Sequence, residues 1–362
     1  MLSVATLRDE LAAIKTASDK PFNVNFFCHT PPLVNAECES VWRKIRAPCY
    51  CQLGLSGSAI LASSPRVPFS DDTADLLEEF RPKVMRFHFG LPSAELLAQV
   101  RGWGAKILLS ATTAEEAVRL EPYGADAIIA QGFEAGGHRD MFLTQDLDSQ
   151  IGTFALLPQI VNAVNIPVIA AGDIVDANGV AAALRLGAAG VQVGAAYMLC
   201  PDAASSAVHR VVLTSDIARH TALTSIFTGR PARGFIHRLM RDLGAINTNV
   251  AEFPLAATAI VPLRANVESL GRGDFSPLWS GQNTSRCREI STAELTQELA
   301  QGLWSLTESC RASAARCRLV ADDSNFAGTA NGGNFVGRLQ RDLVDRQPAR
   351  CADRATAVFR TR

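Results

Sequence analysis

The stretch Ala130-Gln131-Gly132-Phe133-Glu134-Ala135-Gly136-Gly137-His138-Arg139 gathers the residue types best suited to chemistry in this chain. It follows an apolar, β-branched run, Ala127-Ile128-Ile129-Ala130, that reads as a buried strand. Adjacent glycines let backbone N–H groups come close to a ligand, because no Cβ stands between them. A histidine beyond a strand's carboxyl end stands where α/β folds place their chemistry. Its ordinary pKa suits a proton acceptor near neutral pH. The plainer reading is a loop carrying a satisfied surface histidine.

Two later strand ends have related features. They read Ala170-Ala171-Gly172-Asp173-Ile174 and Gln192-Val193-Gly194-Ala195-Ala196. Each passes through a glycine toward a helix start, an arrangement that receives an anion on backbone N–H groups without lysine or arginine. In (β/α)8 barrels phosphates sit at the loops after the last two strands. The alternative is a pair of glycine turns made for close packing. Asn25, Gln131 and Gln192 project near the same rim. Amides both donate and accept, which suits a ring of alternating N–H and C=O groups such as a flavin. No GxxxxGK[ST] occurs and no GxGxxG follows a strand, so neither a P-loop nor a Rossmann site is offered.

The elements that must position these groups alternate. Strands are expected at 22–27, 84–88, 105–109, 127–130, 166–170 and 190–193, with helices between them. Asn23 and Asn25 fall on one face of the first of these strands. Near-continuous apolar strands alternating with helices imply a parallel sheet covered on both faces. Six strands fall two short of a closed barrel. The expectation is therefore an α/β fold, a TIM (β/α)8-type barrel lacking its first two strands. Residues 1–200 would form it. A helical cap and closing helix would span 201–303, with helices at 235–243 and 253–270, a helical or loop-like 221–226 and a basic turn at 230–234. His29 to Pro68 reads as a long loop with a helical patch near Val41–Ile45. From Trp304 to 362 the chain is arginine-rich without apolar period and is expected to be an unordered tail.

Bulk properties narrow the partners. With 35 basic and 36 acidic residues the net charge is −1, which gives no electrostatic support to a nucleic-acid or anionic-membrane partner. No apolar run is long enough to span a bilayer. The nine cysteines form no CxxC units, so no metal site is expected. With Arg8, Asp9, Glu10 and Lys15 in the first twenty residues, no secretory signal is read, and a cytoplasmic location with reduced thiols is expected.

Taken together, these segments resemble the class I nitronate monooxygenases, formerly called 2-nitropropane dioxygenases. The likeness runs through PFNVNFFCH (21–29), FHFG (87–90), LLSATTAEEA (108–117), GADAIIAQGFEAGGHRDMF (124–142), PVIAAGDI (167–174) and LGAAGVQVGAAYMLCPDA (186–203). It continues through ARHTALTSIFTGRPARGF (218–235) and DFSPLWSGQN (274–283), and covers roughly residues 5 to 303. The resemblance implies a flavoprotein barrel that binds FMN and uses O2 to convert alkyl nitronates to a carbonyl compound and nitrite. It implies that Asn25 and Gln131 contact the flavin and that Gly136 and Gly137 line it. Gly172, Asp173, Gln192, Val193, Gly194 and Ala195 would hold the phosphate. His138 would face the substrate and take the α-proton of a neutral nitroalkane.

The EAGGH core also occurs in FMN-dependent enoyl reductases, which leaves that activity as an alternative. A non-catalytic flavoprotein remnant is another. The family's opening strand and its glycine-rich second strand have no counterpart here. Asp173 stands where the family often has glycine, and Ala195 where it commonly has threonine.

Overall fold

The computed structural model describes residues 2–33, 35–56, 67–303 and 359–360. Its centre is a curled parallel sheet of β1 (Asn23–Phe27), β2 (Val84–His88), β3 (Lys106–Ala111), β4 (Ala127–Gln131), β6 (Val168–Ala171) and β7 (Gly190–Val193), adjacent in that order. The short strand β5 (Gly137–His138) lies outside it. The six expected strands are all present, each within two residues of its expected bounds. Among the described residues β1 pairs with β2 alone, so the sheet is a half-barrel with β1 at an edge.

The connecting helices are α3 (Asp71–Phe80), α4 (Ala94–Gly102), α5 (Ala114–Leu120), α6 (Thr153–Ala163) and α7 (Ala177–Arg185), with α1 (Val4–Ala17) ahead of β1. Local chemistry starts them where expected. Ser93 Oγ accepts the Leu96 amide at 3.3 Å, and Thr113 Oγ1 accepts that of Glu116 at 3.2 Å. Gly187, just past α7, takes φ +100°, the left-handed turn that favours glycine. The outward side chains of the sheet, among them Met85, Phe87, Ile107, Leu109, Ile128 and Val191, form the main core with the helices.

The inward face changes along its length. On it Leu108, Ala127, Ile129, Ile169 and Ala171 form a small apolar cluster, with Val84 against it. Strand alternation from these positions puts Asn25, Arg86, His88, Ser110, Gln131 and Gln192 on the same face, with His88 and Gln131 the last residues of their strands. Polar side chains therefore reach the rim where the glycine-rich turns emerge.

Three expectations are corrected. The stretch read as a loop holds α2 (Ala36–Gln52), capped by Asn35 Oδ1 on the Glu37 and Cys38 amides. Pro48 inside it and polar residues along it hide its period. Its Trp42, Cys49 and Tyr50 pack with Phe227, Leu239, Met240, Ile260 and Leu263 in a second core.

The cap after β7 is not purely helical. Helices α8 (Ala207–Leu213), α9 (Arg238–Leu243) and α10 (Val261–Glu268) accompany β8 (Thr221–Thr224) and β9 (Ala232–Phe235). These strands form an antiparallel sheet with β5, in the order β5-β9-β8. The basic turn is thus the start of β9. The single helix expected at 253–270 is a 3-10 turn, Leu255–Ala259, followed by α10, because Pro254 and Pro262 interrupt it. Residues 292–303 are helical, as expected, and bury Leu295 and Leu299 in the main core.

The expected tail lies outside the described residues apart from one short piece. There β10 (Phe359–Arg360) pairs in parallel with Gln192 and Val193 of β7.

Candidate active site

The site begins with Gln131, the last residue of β4. It is buried, and its amide is engaged at both ends by the chain that follows. Nε2 donates to the His138 carbonyl at 2.9 Å, and Oε1 accepts the Asp140 amide at 2.9 Å. This clamp returns the glycine loop to the strand end it left. Arg139, fully buried between the two clamped residues, locks the same loop. Nη1 donates to the Gly132 carbonyl at 2.6 Å, Nη2 to that of Gln131 at 2.9 Å, and Nε to Gln150 Oε1 at 3.1 Å. Burial lowers the Arg139 pKa to about 10, which leaves it charged at neutral pH.

His138 is half-buried on β5, opposite Ala232 of β9. Its Nε2 lies 2.9 Å from Thr228 Oγ1. Around the imidazole stand Phe253 at 5.5 Å, Trp279 at 5.6 Å, and Phe27 and Phe89 each at 5.8 Å between ring centroids. Phe89 follows β2 with φ +65°, a conformation uncommon for a bulky residue. Its N–H is held by Asp140 Oδ1, and Arg230 stacks 3.9 Å above its ring.

Beneath this cage lies a polar network that sequence reasoning missed. His88 Nδ1 pairs with Asp140 Oδ2. Arg86 donates to Gln192 Oε1 at 2.7 Å and to Ser110 Oγ at 3.1 Å. Burial, then the charge of Arg86, lowers the His88 pKa, so the ring is neutral at pH 7 and gives Nδ1–H to Asp140. Burial works to raise the Asp140 carboxyl, but His88 and then Arg86 overcome it and hold it below the usual carboxylate range. The available signal was the spacing of Arg86 and His88, two polar groups on one face of an apolar strand.

The other expected residues divide. Asn25 is exposed on β1, in register with Arg86. Gly137 has φ +79°, and a Cβ there would meet nothing within 4 Å. Gly136 serves packing, since a Cβ would lie 2.5 Å from the Gly281 nitrogen. Gly172 does too, with φ +144° and Thr153 Oγ1 2.3 Å from its would-be Cβ. Gln192 is tied to Arg86, and Val193 is buried in the main core. Gly194 is exposed at the start of the turn that Ala195 opens. Glu134 of the EAGGH stretch caps α6, its Oε2 accepting Thr153 N and Oγ1, each at 2.9 Å.

Asp173 has φ +49°. Burial first, and then Glu134, push its carboxyl up to about 7, against main-chain donors at Asn283 and Gln282 and the charge of Arg233. Its Oδ1 is buried without a hydrogen-bond partner, as is Ser280 Oγ.

The sheet register brings these parts together. Gln131 pairs with Ala171, and Ala171 with Gln192, so His138's anchor and the two glycine turns lie on three consecutive strands at one rim. Among the described residues no set of three or more His, Cys, Asp or Glu side chains is arranged for a metal ion. No helix among them is long and apolar enough to cross a membrane.

An α/β half-barrel with a caged histidine and a polar rim at the carboxyl ends of its strands defines an enzyme of the barrel class. Residues 1–302 match the family model described as nitronate monooxygenase, and the chain belongs to that family of oxidoreductases. It is 37% identical over 292 residues to a nitronate monooxygenase of Pseudomonas aeruginosa, covering 80% of this chain and 83% of the relative. It is 38% identical over 309 residues to one of Paraburkholderia phytofirmans, covering 84% of each. In structure it resembles a nitroalkane oxidase from Streptomyces ansochromogenes, with TM-score 0.76 and 32% identity over 85% of this chain and 87% of that one. FabK from Thermotoga maritima gives TM-score 0.63 and 26% identity, over 86% and 85% of the two chains.

Proposed function

We propose that this chain binds FMN at the rim and oxidises alkyl nitronates with O2 to a carbonyl compound and nitrite. The observation that carries the reading is the caged His138, clamped by Gln131 beside an open Gly137, with the β6 and β7 turns on the next two strands. These residues fit the cofactor. Gly137 leaves space where a Cβ would point, Asn25 is exposed, and Gly194 is exposed at the start of the Ala195–Leu199 3-10 turn. Asn25 and the Gly137 backbone would hold the ring, and Gly194, Ala195 and the Gly172–Asp173 backbone the phosphate.

Bound FMN would take up the substrate's electrons and deliver them to O2. The remaining work falls to the chain. The aromatic cage excludes water and offers an apolar seat for an alkyl group. His138, with Nε2 at Thr228 Oγ1, removes the α-proton when a neutral nitroalkane is offered. A preformed nitronate needs no such step. The test is a yellow flavin spectrum in purified protein together with nitrite release from a nitronate under air. Bound flavin that nitronates never reduce would reject the activity.

A further inference from the structure

Asp173 lies in the turn just after β6, where the flavin reading puts the phosphate, and in that reading its own N–H would be one of the donors. A carboxylate on that residue is covalently kept within a few ångströms of any anion the N–H holds. It lies against the 280–283 segment: its Oδ1 is buried, and a Cβ at Gly281 would come within 2.1 Å of it. Gly281 is thus required by the position of this carboxyl. The same segment reaches back to the glycine loop, where Gln282 N donates to the Glu134 carbonyl at 3.2 Å. The charged or titratable groups facing Asp173 are Glu134 from the β4–β5 loop, Arg233 from β9 and Cys287 from the segment beyond Asn283. Arg233 is turned to Phe133, donating to its carbonyl at 3.1 Å and stacking 4.9 Å over its ring.

Resting on the flavin reading above, we propose that the protonation of Asp173 sets how tightly this chain holds the flavin phosphate. With the carboxyl neutral, the turn presents its N–H groups to the anion. Once ionised, the side chain sets a negative charge beside the phosphate, within the screening length of about 8 Å at physiological salt. The carboxyl changes charge near neutral pH, so the change falls in the range where flavoproteins are handled. FMN is then held best in mildly acidic solution and released toward alkaline pH.

The test titrates apoprotein with FMN, and separately with riboflavin, by quenching of flavin fluorescence from pH 5.5 to 8.5. It uses the wild type and Asp173→Asn. Asparagine tolerates φ +49° as aspartate does, so the backbone is kept. The phosphate's own ionisation near pH 6 is common to both proteins and cancels in the comparison. In the wild type the FMN dissociation constant is expected to rise about tenfold or more between pH 6 and 8.5, the scale of one close unscreened charge pair. Riboflavin binding should change little, and Asp173→Asn should lose most of the FMN rise. A flat FMN profile in the wild type, or an equal rise in Asp173→Asn, overturns the inference while leaving the flavin site standing. Protein that binds neither flavin at any pH overturns the flavin reading, and this inference with it.

Discussion

Gln131 holds His138 by its carbonyl, Nε2 to O at 2.9 Å, while its own Oε1 holds the Asp140 amide at 2.9 Å. Both polar atoms of the side chain thus serve the loop that carries the imidazole. Gln131→Leu would keep the volume and leave a buried carbonyl and N–H unpaired. That costs about 1–3 kcal/mol of stability for each unsatisfied group. Thermal unfolding should shift down by several degrees, and turnover should fall because the ring is no longer fixed. If turnover falls with no change in melting, Gln131 acts on the cofactor rather than as a clamp.

Glu134 lies in the glycine loop but works on α6. Gly152 at that helix start has no side chain to cap it, and the Glu134 carboxylate takes the Thr153 N–H instead. Glu134→Gln keeps the shape and removes the charge at the helix N-terminus, so stability should fall by about 0.5–2 kcal/mol. The shift of the urea midpoint measures it. An unchanged midpoint would deny the capping role.

The His88–Asp140 pair carries a pH signature. Asp140 titrates below an ordinary carboxyl. Its contribution to stability is therefore present above the ordinary carboxylate pKa and is lost as pH falls through its own lower value. Asp140→Asn should cost about 3 kcal/mol near pH 7, since it leaves Arg86 and His88 without their buried anion. The difference in melting temperature between the two proteins should shrink steadily below pH 4. A difference independent of pH would show that the carboxylate's charge is not what matters.

Asp173 predicts the opposite slope. Its carboxyl is raised to about 7, so the folded state binds a proton the unfolded chain gives up. Stability from this group falls between the ordinary carboxylate pKa and pH 7, then levels. Asp173→Asn apoprotein should therefore gain on the wild type from pH 5 to pH 7, read by calorimetry at each pH. An unchanging gap would remove this carboxyl from the acid–base balance of the fold.

The sheet was legible because strands covered on both faces read as apolar runs, and Ser93, Thr113 and Gly187 mark helix ends by local hydrogen bonding. The cap was not, because β9 gains its place from pairing with β5 across nearly a hundred residues, and β8 is held in turn by β9. Helix α2 escaped because Pro48 and its polar face break the period. His138 was visible from its glycines, whereas its cage was not. Phe27, Phe89, Phe253 and Trp279 come from four distant segments, and nothing local marks any of them. The glycines carried mixed meaning: a Cβ would collide at Gly136 and Gly172, whereas at Gly137 it would meet nothing within 4 Å, and Gly194 is exposed.

The most direct measurement compares His138→Asn with the wild type on a neutral nitroalkane and on its preformed nitronate, by nitrite release at pH 7. Loss of a general base should lower kcat/KM for the nitroalkane about 100-fold or more while nitronate turnover stays within a few-fold. Equal activity of the two proteins on the nitroalkane, or an equal loss on both substrates, would contradict the role given to the caged imidazole.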